Sequence, residues 1–254
     1  MRALVIGELA VRIHPTEADL GRAAAMEAAA VIRTAYEIRG EARVMFATGN
    51  SQLAFLTALT QRDDVDWAHV TGFHMDEYVG ISAEHPASFR RYLRERLVER
   101  VPLRAFHYVE GDAPDPDAEC VRYAAALAEA PLDLCCLGVG ENGHLAFNDP
   151  PVADFDDPLD VKVVILDDGC RSQQVGEGHF ATIDDVPPQA ITVTIPALLR
   201  AGRVLAIAPE ARKREPVLAA LTGPVATACP ASILRTRANV TLHLDEQSGA
   251  GVRG

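Results

Sequence analysis

No stretch of this 254-residue chain approaches the roughly 18 consecutive apolar residues that a membrane-spanning helix needs. The opening Met1-Arg-Ala-Leu-Val-Ile-Gly7 is too short an apolar run for a secretory signal. Cysteines are few and odd in number, at 120, 135, 136, 170 and 229, and they show no metal-ligand spacing. Reduced thiols in a cytoplasmic protein are therefore expected. Positive charge is also scarce: 24 Lys and Arg against 36 Asp and Glu leave a net charge of −12. That balance argues against nucleic acid or an anionic membrane as a partner, and any anionic ligand must be held by local donors against a repulsive field. There is no internal repeat, no low-complexity tract and no linker. Apolar content of 48% and charged content of 24% are those of a globular chain long enough for one sizeable core.

Strands and helices alternate along the sequence. Glu17–Arg39 reads as a long alanine-rich helix stopped by Gly40. Apolar strands are expected at 44–47, 67–73, 105–109, 133–137, 161–166, 204–208 and 240–244. Helices are expected at 51–59, 86–97, 115–130, 196–200, 210–221 and 230–234. Repeated strand–helix units predict an α/β fold: a Rossmann-like open parallel sheet with helices on both faces, in a single domain over residues 1–246. The tail, 247–254, is expected to be disordered. The stretch 169–189, rich in Gly, Gln and Pro, is expected to be a mobile lid.

Three strand ends carry chemistry. Leu132-Asp-Leu-Cys-Cys-Leu137 runs into Gly138-Val-Gly-Glu-Asn-Gly-His-Leu-Ala-Phe-Asn-Asp-Pro-Pro151. Its glycines permit a sharp turn that brings Asn142, His144 and Asp149 close together. An imidazole between an amide and a carboxylate, at the carboxyl end of a parallel strand, is suited to proton transfer. Trp67–Phe73 leads into Met75-Asp76-Glu77-Tyr78, two adjacent acids straight after a buried strand. Val44-Met-Phe-Ala leads through Thr48-Gly49-Asn50-Ser51 into a helix, where backbone N–H groups and hydroxyls form an anion site. It is not a Walker A loop, because the Gly-Lys-Ser/Thr ending is missing. Taken singly, each also has a plain structural reading as a tight turn, a solvated acidic loop or an ordinary helix cap.

In combination and in this order, the motifs resemble the glucosamine-6-phosphate deaminase/isomerase family, from about Val11 to Asp245. The family's phosphate loop stands here as Thr48-Gly49-Asn50-Ser51, its Met-Asp-Glu-Tyr segment as Met75–Tyr78, and its Gly-His-Ile/Leu-Ala-Phe-Asn-Glu-Pro segment as Gly143–Pro150. Ala190–Leu199, the strand at 204–208 and Lys213 also fit. The resemblance implies enolisation of an amino-sugar phosphate with release of ammonia. The substrate's own carbonyl serves as electron sink, so no cofactor, metal, pyridoxal or nicotinamide is called for. Asp76 is then the base at carbon 2, His144 the ring-opening group, and Asp149 with Asn142 its flanking pair. Lys213 is the phosphate cation. The family contains both monomers and hexamers, so a homo-oligomer is possible.

The sequence departs from the family in several places. Asn142 stands where Asp is frequent, and Asp149 where Glu is usual. The family's phosphate arginine has no aligned equivalent; Arg171 is the nearest candidate, with His179 an alternative. Arg212 and Arg214 are read as a solvated helix face. The basic stretch of allosteric members is replaced by Asp154-Phe-Asp-Asp-Pro-Leu-Asp160, which would repel a phosphorylated activator. Two further functions share the architecture: lactone hydrolysis of the 6-phosphogluconolactonase type, and non-enzymatic sensing of a sugar phosphate.

Overall fold

The computed structural model describes residues 1–176 and 178–253. Among these, an eight-stranded sheet forms from β1 (Arg2–Ile6), β2 (Leu9–His14), β3 (Ala42–Phe46), β4 (Val70–His74), β6 (Ala105–His107), β7 (Leu134–Gly138), β10 (Arg203–Ala208) and β11 (Val240–Asp245). The strand order is β1-β2-β11-β10-β7-β3-β4-β6, and every pairing except β1 with β2 is parallel. The helices are α1 (Glu17–Arg39), α2 (Leu53–Thr60), α3 (Phe89–Leu93), α4 (Pro116–Ala128), α5 (Asp168–Gly176), α6 (Ile195–Leu199) and α7 (Arg214–Thr222).

Strand alternation divides the core in two. Val44, Phe46, Leu134, Cys136, Leu205 and Ile207 face α1 and α2. Met45, Cys135, Leu137, Val204 and Ala206 face Tyr123 of α4, Leu198 of α6 and Val217 of α7. The expected parallel sheet with helices on both faces is thus what forms. The alanine-rich face of α1 buries Ala24, Ala25, Ala28 and Ala29, and Thr16 caps its start by accepting from the Asp19 N–H. Glu27 pins α1 to the sheet through Arg203, Arg12 and Thr241 at 2.7–3.0 Å.

Two features go beyond the sequence reading. The first is the N-terminal hairpin of β1 and β2, joined by the two-residue turn Gly7-Glu8. The second is a small antiparallel sheet of β5 (Asp76–Tyr78), β9 (Gln189–Val193) and β8 (Val161–Ile165), in the order β5-β9-β8. It closes over Tyr78, Phe89, Phe147, Phe180 and Cys170, a third apolar cluster.

The expected disordered tail is instead folded back over residues 247–253. Ser248 is buried, its N–H donating to Oδ1 of Asp245 at 2.8 Å, and Val252 is buried with its carbonyl accepting from Arg2. The segment expected as a lid carries α5 and a short 3-10 turn, Ile183–Asp185; Glu177 within it lies outside the described residues.

Candidate active site

The strand order reverses at β3 and β7. From β3 the chain steps outward through β4 to β6, then returns to place β7 on the other side of β3, with β10 beyond it. Connections that leave in opposite directions open a crevice at the carboxyl ends of the strands, where ligands bind in such sheets. Four adjacent strands, β10, β7, β3 and β4, deliver Lys213, the Gly138–Asp149 loop, Thr48–Ser51 and Asp76 to that edge. A cavity of about 630 Å³, open at its mouth, is lined there by Thr48, Gly49, Asn50, Ser51, Asp76, His144 and Lys213, among others.

Asp76 and Glu77 part company because successive strand residues face opposite ways. Asp76 lines the cavity and is buried; Glu77 turns away. Glu77 accepts from the backbone N–H groups of Tyr78, Phe89 and Arg90 and from the Ser88 hydroxyl at 2.7 Å. It therefore ties the start of α3 to β5. Burial raises the Glu77 carboxyl, though these donors oppose the shift. Burial, reinforced by the charges of Glu77 and Asp149, pushes the Asp76 carboxyl well above the usual carboxylate range. A carboxylate so destabilised is a strong base once ionised.

The His144 loop is locked from several sides. Gly140 donates its N–H to the His144 carbonyl at 3.0 Å, and the imidazole lies directly on the Gly140 Cα. A Cβ at Gly140 would fall 2.2–2.3 Å from three ring atoms, so only glycine admits this ring position. Nδ1 of His144 is 2.9 Å from Oδ1 of Asp149. Asn142 donates through Nδ2 to the same carboxylate oxygen at 2.7 Å, and its Oδ1 accepts from the His144 backbone N–H at 3.0 Å. Asn142 thus orients Asp149 and the loop. Burial pulls the Asp149 carboxyl upward, but the His144 contact and charge, the Asn142 amide and the nearby Cys170 thiol outweigh it and hold it low. Ala146 has φ of 51°, a strained backbone position at the cavity wall. Asn148 donates to the carbonyls of Leu145 and Val193 at 2.8 and 2.9 Å, stapling the loop to β9.

In the Thr48–Ser51 loop, Gly49 adopts φ of 94°, a conformation that L side chains avoid, as the chain turns from β3 into the 3-10 turn Asn50–Gln52. Tyr92 fixes this turn by donating to the Gly49 carbonyl at 2.8 Å. Lys213 is buried on the cavity wall.

Two arginine expectations need correcting. Arg171 does not line the cavity; its Nη2 donates to the carbonyls of Ile183 and Val186, because α5 points that side chain at the following loop. Arg212, expected on a solvated face, does line the cavity, where it pairs with Glu210 at 2.9 Å and approaches Glu141 at 3.9 Å. Arg214 is exposed as expected, and His179 reaches the cavity. Sequence reasoning missed Gln173, Gln174 and Cys170. Gln174 accepts from the Tyr78 hydroxyl at 2.7 Å, and nothing in the local sequence of α5 marks it.

Residues 15–164 match the family described as glucosamine-6-phosphate isomerases/6-phosphogluconolactonase. The chain belongs to this family. A glucosamine-6-phosphate deaminase from an Exiguobacterium species is 36% identical over 199 residues, covering 78% of this chain and 76% of that protein. The solved structure of a monomeric glucosamine-6-phosphate deaminase superposes with a TM-score of 0.86 at 28% identity, covering 94% of this chain and 98% of its own. A 6-phosphogluconolactonase from Thermotoga maritima, at 18% identity and a TM-score of 0.75 over 93% of this chain and 99% of its own, shares the fold. In this chain, segments Met75–Tyr78 and Gly143–Asp149 line or brace the cavity.

Proposed function

We propose that this chain converts glucosamine 6-phosphate, or a close relative, and water into fructose 6-phosphate and ammonia. The observation that carries this reading is a single cavity holding a buried, strongly basic carboxylate, Asp76, together with a His–Asp pair and a buried lysine beside a phosphate-type loop. Such a cavity suits a ligand with an ammonium at one place and a phosphate at another. The substrate ammonium compensates Asp76, and Lys213 with the N–H groups and hydroxyls of Thr48–Ser51 receives the phosphate.

The chemistry follows from those positions. With Asp149 at Nδ1 of His144, Nε2 remains to carry the proton from the anomeric hydroxyl to the ring oxygen, which opens the sugar. Asp76 then takes the carbon-2 proton. The electron pair moves into the carbon 1–carbon 2 bond as the aldehyde oxygen is protonated, giving an enolamine. Protonation at carbon 1 reduces that carbon and leaves an imine at carbon 2. Water adds to the imine, and ammonia departs to leave the ketose. Carbon 1 gains what carbon 2 loses, so no external oxidant or reductant enters.

Incubation with glucosamine 6-phosphate in deuterium oxide, following ammonia, fructose 6-phosphate and deuterium at carbon 1, tests the reading directly. The expected result is stoichiometric ammonia and ketose. Hydrolysis of 6-phosphogluconolactone without ammonia release would move the chain to the lactonase branch, and tight sugar-phosphate binding with neither turnover would make it a sensor.

A further inference from the structure

We propose that His144, Asp149 and Cys170 form a binding site for a zinc-class divalent cation. Among the described residues, these three form the one cluster of at least three His, Cys, Asp or Glu donors close enough to hold an ion; their ligating atoms lie within 4.8 Å of one another. The sequence gives no hint of this, because the cysteine comes from the first turns of α5 and the other two from the loop after β7. Asp149 and Cys170 are buried, and His144 borders the cavity, which provides both an enclosed ligand set and a route of entry.

Two further observations point to an ion. Oδ2 of Asp149 is buried without a hydrogen bond of ordinary geometry, so that carboxylate has lone-pair capacity unspent, and Nδ1 of His144 already points at the same carboxylate, 2.9 Å from its Oδ1. The charges also balance: a divalent cation with one carboxylate, one thiolate and one neutral imidazole is electrically neutral, the arrangement least penalised in a buried setting. The thiol proton leaves to solvent as the metal binds, which makes affinity rise with pH. Imidazole and thiolate together select zinc, and cobalt as its spectroscopic substitute, over magnesium or calcium. Three protein ligands leave a fourth position toward the cavity for water. Occupancy breaks the Asp149–Nδ1 contact that orients His144 for proton transfer at Nε2. A bound ion is therefore inhibitory, a consequence that rests on the deaminase reading, whereas binding itself does not.

The test is made on the full chain. Cobalt(II) is added to the reduced protein, and the near-ultraviolet thiolate-to-cobalt charge-transfer band is followed. X-ray absorption of the zinc-loaded protein then counts the ligands. One sulfur at about 2.3 Å with nitrogen and oxygen scatterers at about 2.0–2.1 Å is expected. Cys170→Ser should remove the band and weaken zinc affinity by more than roughly tenfold, since even loss of an outer partner of a ligand costs that much. Cys229→Ser, at a half-buried thiol outside the cluster, should keep the band. A shell without sulfur, a shell with two sulfurs, or a band that persists in Cys170→Ser each overturns the site. Should Cys170→Ser fail to fold, the wild-type scattering result still decides. Metal binding without ammonia-releasing activity would leave the site standing and count only against the deaminase reading.

Discussion

The contact between Gly140 and His144 gives a sharp test of the proton-transfer role proposed for the His144 loop. Replacing Gly140 with alanine adds one carbon atom, 2.2 Å from Cε1 and 2.3 Å from both ring nitrogens of His144. Non-bonded carbons settle at about 3.5–4.0 Å, so the ring must retreat by more than about 1 Å. The Gly140 backbone is not in the left-handed region, so alanine itself is not strained there. The imidazole has little room to yield, because it is held 2.9 Å from Asp149 on one side and its own backbone is bonded to Asn142 and Gly140. A misplacement of about 1 Å in a catalytic group can cost on the order of 10²-fold in rate. Gly140→Ala should therefore lower kcat for ammonia release by about that factor while the chain still folds cooperatively. In a His144→Ala background the obstructed ring is absent, and Gly140→Ala should then change the residual rate little. The double-mutant cycle is measured by ammonia release from glucosamine 6-phosphate, with thermal melts as a check on folding. Near wild-type turnover in Gly140→Ala, or the same loss with and without His144, would refute the argument that glycine is required to seat the imidazole.

Asp76→Asn should lose about 10²–10⁴-fold in rate, with carbon-2 proton exchange lost in parallel; exchange at the wild-type rate would remove Asp76 from the base role. Because burial, Glu77 and Asp149 raise the Asp76 carboxyl, kcat/KM should fall with acidification at a higher pH than an ordinary carboxylate would give. Lys213→Ala should weaken binding of the phosphorylated sugar by roughly 1.5–3 kcal/mol and leave the weak binding of the unphosphorylated sugar nearly unchanged, as read by calorimetry. His74 is fully buried, and burial, with the Arg90 charge, lowers its imidazole from 6.5 to about 3; its Nε2 accepts from the Val109 N–H. The folded state thus favours the neutral ring, so its contribution is intact above pH 6.5 and lost as pH falls toward 3, on the order of 5 kcal/mol in all. His74→Asn should flatten the fall in Tm across that window, and an unchanged slope would refute the assignment.

The sequence by itself determined the fold class and picked out many of the residues that the structure brings to one cavity. Each chemical motif is local: a buried apolar strand, a turn, then the functional residues, as in Phe46–Ser51, His74–Asp76 and Gly138–Asp149. Local periodicity and turn chemistry are written in neighbouring residues, so they can be read before any tertiary contact is known. It did not reveal the N-terminal hairpin, whose edge strand β1 is largely exposed, or the small sheet that carries Asp76 opposite Thr192. The resemblance singled out Asp76 of the two adjacent acids, and tertiary structure supplied the reason that Asp76 and not Glu77 enters the cavity, since a shift of one residue along a strand exchanges its faces. It also sent Arg171 to a loop, brought Arg212 to the cavity wall, folded back the segment after Asp245, and set Cys170 beside Asp149. Those outcomes depend on the order of strands β10, β7, β3 and β4 and on where α5 packs. Strand order and helix placement arise from burial summed over the whole core, a property carried by no single segment of sequence.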